Sequence, residues 1–464
     1  MSPVSERQLF TGWGRATWSA ARVVAPRDEA DVERVVMREL DGLGRFCPRG
    51  LGRAYGDAAQ CAGGTVVDCR ALRSVFGLDH QRGTLRAGAG ISFDSLLELL
   101  VPRGYFLPVT PGTRFVTLGG AIASDIHGKN HHVDGSLSAH LEGLRLVAPA
   151  GTLECGPGQH REEFDATCGG MGLTGIVTEA TLRLVPIESS WMVVDSERAA
   201  DLDSCLSLLS GEASRYRYSV AWVDGLARGR RLGRSVLTRA NHARAMDLPD
   251  SWRRPPLSYR APRVVEVPFA SPLALLSPAT VSAFNEMWYR KAPSKRETRL
   301  QPLAKFFYPL DGVGGWNRLY GPRGFTQYQF VVPFGAERAL EHALEKLSGG
   351  RVASFLAVLK SFGPAGAGPL SFPVEGWTLA LDLPLGAPGL PELLDELDAL
   401  VVSAGGRIYL SKDARLRPDL VASMYPRLAE WQAVRARLDP TGVMSSDLAR
   451  RLGLTGSALP GDRA

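Results

Sequence analysis

Cysteine is scarce and scattered. Six cysteines stand at 47, 61, 69, 155, 168 and 205, with no C-x-x-C pair and none beyond 205. Neither a zinc site nor a disulfide framework is signalled, and reduced, buried thiols are expected. Long apolar runs are also missing: nowhere do about eighteen apolar residues follow one another, so no membrane-spanning helix is expected. The opening stretch, MSPVSERQLFTGWGRATWSA, lacks a basic segment followed by an apolar core, so no Sec signal is expected and the cytoplasmic side is favoured. Helix-turn-helix, zinc-finger and long basic-stripe patterns are absent, which argues against duplex nucleic acid as a partner. The net charge of +6 instead resides in short clusters such as Arg228, Arg230, Arg231 and Arg234. These read as solvated loops, or as a surface suited to a phosphate headgroup or an acidic membrane.

A chain of 464 residues is too long for one hydrophobic core, so two domains are expected. The 51 glycines and 31 prolines mark a fold rich in turns. Up to about residue 190, helix-like stretches (DEADVERVVMREL, FDSLLELLVPRG) alternate with short β-rich runs (GTVVDC, GTLRAGAG, LEGLRLVAP, GIVTEATLRLVP). VAPAGTL predicts a hairpin turning at Ala150-Gly151. Beyond Pro186, tryptophans and prolines accumulate and longer strand-like elements appear, FTQYQFVVP and VASFLAVLKSFG among them. Residues 245–280 lack a helix or strand period and predict mobile loops over a site. RIYLSKDARL predicts a strand-like run, and MYPRLAEWQAVRARLDPTG an amphipathic helix ending before Asp439-Pro440.

Three segments carry chemistry. In Arg49-Gly-Leu-Gly-Arg-Ala-Tyr-Gly-Asp57 the spacing G-x-G-x-x-x-G lets backbone amides turn toward an anion such as a pyrophosphate. The spacing departs from G-x-G-x-x-G and no helix-opening pattern follows, which disfavours a nicotinamide-type fold. The second segment runs from Pro111 to Gly128 and on to His132. Gly112, Gly119, Gly120, Ala121, Ala123 and Ser124 permit close approach to a long flat ligand, and Thr113, Thr117 and Ser124 offer hydroxyls. His127, His131 and His132 could be read as metal ligands, but Gly128 breaks the helix that such ligation needs and no carboxylate partner is near, so no metal is expected. The third, Cys168-Gly-Gly-Met-Gly-Leu-Thr-Gly-Ile-Val177, is on its own a turn. Two side-chain-poor segments about 60 residues apart are more informative together than either alone.

These segments, with TGWGR, GFTQYQFVVP, VLKSFGP, PLSFPVEGW, MYPRLAEW and SSDLARRL, resemble the vanillyl-alcohol oxidase type of FAD-binding flavoprotein. Within it they look nearest to the decaprenylphosphoryl-β-D-ribose 2-oxidase family, almost end to end. The resemblance implies an α+β, two-domain fold: a PCMH-type FAD-binding domain formed by both chain ends (1–190 and 406–464), and a substrate domain (191–405) with an antiparallel sheet and helices. It implies noncovalent FAD and oxidation of the C2 hydroxyl of a polyprenylphosphoryl-ribose to a ketone. A separate nicotinamide-dependent keto-reductase would complete epimerisation to an arabinose donor for the cell wall, and quinone or oxygen would take the electrons. Peripheral membrane contact through the loops near 255–280 is a further implication, and the resemblance leaves the periplasmic side open.

Matched position by position, the resemblance implies that FAD meets Arg49, Gly50, Leu51, Gly52, Arg53, Ala54, Tyr55, Gly56, Pro111, Gly112, Thr113, Thr117, Leu118, Gly119, Gly120, Ala123, Ser124, His127, Gly128, Asn130, Gly172, Gly175, Val177, Tyr409 and Lys412. Lys412 stands where the family has its essential lysine, either stabilising negative charge on the reduced flavin or polarising the substrate oxygen. Tyr55 and His127 flank the ring, and either could help take the hydroxyl proton. The substrate pocket would comprise Trp222, Phe307, Gln327, Gln329, Lys360, Phe362, Thr378 and Ala380, with Lys360 suited to a polar or anionic group. Three positions depart from the family: Ala380 replaces the cysteine that nitroaromatic inhibitors trap, Thr378 an asparagine and Phe307 a tyrosine. Loss of the cysteine leaves hydride transfer possible, whereas the other two alter the pocket's hydrogen-bonding capacity. Two other readings compete: an oxidase of a soluble alditol or aldose, and a lipid-carrier or anion-binding module without redox function.

Overall fold

A computed structural model describes residues 7–38, 44–261, 264–269, 277–350, 352 and 354–455. Its architecture is mixed α/β. A four-stranded sheet runs in the order Gln8–Thr11, Trp18–Val24, Thr65–Asp68, Phe46–Arg49, its last three strands parallel. A five-stranded antiparallel sheet follows in the order Val75–Asp79, Thr84–Gly88, Ile176–Arg183, Leu141–Ala148, Gly151–Cys155. The largest sheet is antiparallel throughout, in the order Glu297–Pro302, Trp191–Ala199, Ser235–His242, Tyr218–Val223, Ala357–Phe362, Gly376–Pro384, Phe325–Pro333, Arg407–Ile408.

The two-residue alternation of a strand explains how this last sheet makes a site. Along Phe325–Pro333, Tyr328, Phe330 and Val332 point to one face, where they join Leu340, Leu344 and Leu347 of the helix Glu337–Gly349 and Leu394, Leu397 and Val401 of the helix Leu390–Ser403 in one core. Each such side chain, fully buried, stabilises the fold by about 1.5–3 kcal/mol. The opposite face carries Gln327 and Gln329. Antiparallel register sets Gln327 across from Asp382, and Gln329 across from Ala380, which itself pairs with Val358.

The carboxyl-terminal residues return to the first sheet. Phe46 N donates to Val443 O at 3.0 Å and Ser445 N donates to Phe46 O at 3.0 Å. The first glycine segment meets the turn that carries Lys412: Tyr55 N donates to Ser411 O at 3.0 Å, and a Cβ on Gly56 would lie 1.9 Å from Asp413 O.

Several expectations need adjustment. The hairpin forms, but Ala148 pairs with Gly151, so the turn is Pro149-Ala150, one residue earlier than predicted. The strand-like run at RIYLSKDARL stops at Ile408; the backbone then turns, with Lys412 N donating to Tyr409 O at 2.9 Å. The helix Leu428–Leu438 ends before Asp439-Pro440, as its sequence predicts. The expectation of loops over 245–280 covers 262–263 and 270–276, outside the described residues. Within the rest lie single helical turns, a short strand Val265–Glu266 parallel to Val313–Gly314, and the start of the helix Pro278–Lys291. Ser277, whose hydroxyl accepts from Thr280 N, and Pro278 in the first turn are start signals that sequence reading overlooked.

Candidate active site

One cavity of about 320 Å³ is lined by both glycine-rich segments, the Met171–Val177 turn, the Gln327/Gln329 face and the Tyr409–Lys412 turn. The two segments touch. A Cβ on Gly50 would lie 2.2 Å from Thr117 Oγ1, and Thr117 caps the helix Leu118–Ala123 by accepting from Gly120 N. Glycine at 50 is what lets the backbones close to that distance. Arg49 and Arg53 are committed to the protein: Arg49 donates to Ala59 O at 2.7 Å and Thr11 O at 2.9 Å, and Arg53 lies 3.9 Å over the Trp13 ring. Backbone, small side chains and apolar walls therefore make up most of the cradle, the composition that a long, flat, pyrophosphate-bearing ligand requires.

At the other end of the cavity, polar side chains converge. Lys412 Nζ stands 3.8 Å over the Tyr55 ring. Burial pulls Lys412 far below the ordinary lysine range, opposed by the nearby Asp382, and pushes Asp382 up, opposed by a hydrogen bond from Gln327 and by Lys412. Lys360 also lines the cavity and is held down to about 8 by burial. Burial raises the Tyr55 hydroxyl well above the phenol range and lowers His127 well below the usual imidazole value, so His127 is neutral at pH 7. Gln329 Nε2 joins His127 Nε2 at 3.0 Å and donates to Thr378 Oγ1 at 3.1 Å, and Thr378 Oγ1 donates to Phe330 O at 2.9 Å. His127 Nδ1 is buried with no hydrogen-bond partner.

Of the expected cofactor residues, Arg49 to Tyr55, Pro111, Gly112, Thr113, Thr117, Gly119, Gly120, Ala123, Ser124, His127, Gly172, Gly175, Val177, Tyr409 and Lys412 line this cavity. Gly56, Leu118, Gly128 and Asn130 do not. Gly56 is packed on Asp413, and the Leu118 side chain is in the core. Gly128 is packed on Thr110, and Asn130 Nδ2 donates to Pro108 O at 2.8 Å and Asp134 Oδ2 at 2.6 Å. Of the expected substrate residues, Gln327, Gln329, Lys360 and Ala380 reach the cavity and four do not. Phe307 packs on Phe106 and Tyr218, with centroids at 4.7 and 4.9 Å, inside the core. Trp222 sits in its strand opposite Val358, Phe362 lies edge-on behind His127 at 4.8 Å, and Thr378 acts on the cavity only through Gln329. Sequence reading missed Trp13, Met171, Leu310, Asp311, Trp316, Leu356 and Val358 as lining residues. TGWGR was a signal for Trp13 and the third glycine-rich segment one for Met171; the others carry none.

Residues 20–156 match the family model of the FAD binding domain, and residues 388–452 match that of D-arabinono-1,4-lactone oxidase. The matched domain makes the chain an FAD-binding flavoprotein, and the two touching side-chain-poor segments facing a polar wall are the candidate site for that cofactor. A decaprenylphosphoryl-β-D-ribose oxidase of Mycolicibacterium smegmatis is 40% identical over 456 residues, 97% of this chain and 98% of the relative. The chain belongs to the decaprenylphosphoryl-β-D-ribose oxidase family. An uncharacterized protein of Streptomyces coelicolor is 41% identical over 371 residues, 78% of this chain and 100% of that one. More distantly, an alditol oxidase of a Streptomyces species is 27% identical over 38% of this chain and 42% of its own length.

Proposed function

We propose that the chain is an FAD-dependent oxidoreductase that oxidises the C2 hydroxyl of a polyprenylphosphoryl-β-D-ribose to the 2-keto sugar. The observation that carries this reading is the end-to-end likeness to the decaprenylphosphoryl-β-D-ribose oxidase, together with one cavity in which polar side chains converge at one end. FAD, when bound, supplies the hydride acceptor. The glycine segments cradle its backbone. Lys412 offers an ammonium where negative charge develops, and Gln327 and Gln329 orient the sugar. Neutral His127 and the Tyr55 hydroxyl stand ready to pass the hydroxyl proton. Lys360 takes an anionic or polar group of the substrate.

The FAD domain is read as residues 1–190 with 406–464 and the substrate domain as 191–405, a division supported by the hydrogen bonds between Phe46 and the segment Val443–Ser445. FAD binds noncovalently. The ketone goes to a nicotinamide-dependent keto-reductase, and the electrons to a quinone or oxygen. No helix among the described residues is long and apolar enough to cross a membrane. The exposed Trp252, Val265 and Phe269 instead support peripheral contact with the membrane that holds the lipid, on the cytoplasmic side in preference to the periplasmic. Co-sedimentation with anionic vesicles, weakened by salt, is expected.

The deciding experiment is an anaerobic absorbance spectrum. A polyprenylphosphoryl-ribose is expected to bleach the flavin band, and Lys412→Ala to keep FAD while losing the bleaching. Faster bleaching by a free alditol would replace the substrate, and a protein that takes up no FAD would refute the reading.

A further inference from the structure

Asp382 lies behind the polar wall, with none of its own surface on the cavity. It is fully buried in the strand Gly376–Pro384, directly across from Gln327. Its Oδ1 accepts from Gln327 Nε2 at 2.5 Å, and its Oδ2 is buried with no hydrogen-bond partner. Among the described residues it has no ion pair within 4 Å. Gln327 does line the cavity. One amide hydrogen of Gln327 is held by Asp382 and the same side chain is hydrogen-bonded to the Tyr55 hydroxyl, so with the nitrogen engaged on both the carbonyl oxygen is left for a ligand. Gln329, two residues on and on the same face, is held in the same sense by His127 and Thr378.

The two glutamines differ in what holds them. A hydroxyl and a neutral imidazole hold Gln329, whereas Gln327 is held by a carboxyl group. Ionised, a carboxylate only accepts hydrogen bonds, which turns the amide nitrogen inward. Protonated, it donates, so the amide can reverse and present its NH2 group to the cavity. Resting on the oxidoreductase reading above, we propose that Asp382 is a positioning residue that fixes which end of the Gln327 amide faces the cavity, presenting a carbonyl acceptor to a substrate hydroxyl when ionised. The groups facing Asp382 are Tyr55 of the first glycine segment, Tyr320 of the turn Trp316–Tyr320, and Lys412 after Ile408, with Lys360 beyond Lys412. Of these, Lys412 favours ionised Asp382. Burial favours the acid, so its proton is gained within the working pH range instead of far below it.

The test uses flavin-loaded enzyme and three variants. Asp382→Leu is expected to keep its flavin and lose about tenfold or more in kcat/KM, as Gln327 loses its anchor. The wild type is expected to show an acid-side fall of kcat/KM, and Asp382→Asn to abolish it. Adding Gln327→Glu to Asp382→Asn reverses the pair, with the introduced amide donating from behind and a carboxylate oxygen facing the cavity, and is expected to recover most of the wild-type rate. Independently of turnover, selective 15N-glutamine labelling gives the side-chain NH2 signal of Gln327, identified by its loss in Gln327→Leu. That signal is expected to shift with pH in the wild type and to stay fixed in Asp382→Asn. A pH-independent signal, or an Asp382→Leu enzyme within twofold of wild type, would overturn the proposal. If the ribose lipid fails to reduce wild-type enzyme, the substrate reading falls, and the amide titration alone decides the role of Asp382.

Discussion

Arg451 is the side chain whose removal tests how the two halves of the site are held together. It comes from the helix Asp447–Arg451, the last among the described residues, and its guanidinium reaches two other segments of the chain. Nε and Nη2 make a fork on Asp57 at 2.9 and 2.8 Å, Nη2 also lies 2.8 Å from Asp413 Oδ2, and Nη1 donates to Leu416 O at 3.0 Å. Asp57 closes the first glycine segment, and Asp413 follows Lys412. The carboxylates are 6% and 3% exposed, so Arg451→Met strands two buried negative charges. Losing one partner of a buried pair costs about 3–5 kcal/mol, and because Arg451 is itself 25% exposed the expected loss is near 3 kcal/mol. The assay is denaturant unfolding followed by flavin fluorescence, with FAD release measured alongside. FAD is expected to dissociate more readily, because the Gly56–Asp413 contact between the segments loosens. Arg451→Lys, which keeps the charge and loses the fork, should fall between. Arg451→Met combined with Asp57→Asn should cost less than the two single losses added. A deficit below about 1 kcal/mol, with FAD held as tightly as in wild type, would refute the argument.

Other outcomes follow from the same geometry. Gly50→Val is expected to purify without flavin, because its side chain would meet Thr117 Oγ1, and absorbance per protein checks this. Lys360→Met is expected to raise KM about tenfold with little change in kcat, since a cation that only anchors substrate acts equally on ground and transition states. Burial lowers Lys412 in the folded enzyme from 10.5 to about 7, so the folded enzyme loses the ammonium as pH rises through about 7. The rate of flavin reduction should fall correspondingly, and in Lys412→Met it should be low at every pH. Acid precipitation is expected to leave the protein colourless and the FAD in solution; a yellow pellet would show a covalent link.

Which parts of this were legible in the sequence follows from what each signal depends on. Glycine spacing is local, so RGLGRAYGD and PGTRFVTLGG announced a cradle, and the strands GTVVDC and FTQYQFVVP were plain from composition. The partnership of the two segments was an inference until Gly50 and Thr117 were seen to touch. Asp382 was invisible, because its role comes from antiparallel register opposite Gln327, and register is set by the whole sheet. Asn130 and Phe307 misled for the reverse reason: residues next to a motif can serve the structure beneath it, and these two are spent on Pro108 and on an aromatic core. The strand read at RIYLSKDARL is cut to Arg407–Ile408 because a turn at Tyr409 overrides β-propensity, and that turn is what brings Lys412 over Tyr55.

The three departures from the family pattern are therefore unequal. Phe307 is buried behind Tyr218 and has no surface on the cavity, so a missing hydroxyl there bears on packing and leaves substrate contacts alone. Ala380 does face the cavity, across from Gln329, and its small side chain widens the wall where the family's cysteine would stand. Thr378 acts one step back. Its oxygen accepts from Gln329 and donates to Phe330 O, so it serves as a relay that an amide would fill with different reach. Under the proposed function, selectivity among sugar hydroxyls rests on Gln327 and Gln329, which line the cavity and are bonded from behind by Asp382 and Thr378. Of the three departures, then, Ala380 acts at the lining, Thr378 acts on it from behind through Gln329, and Phe307 acts on packing alone.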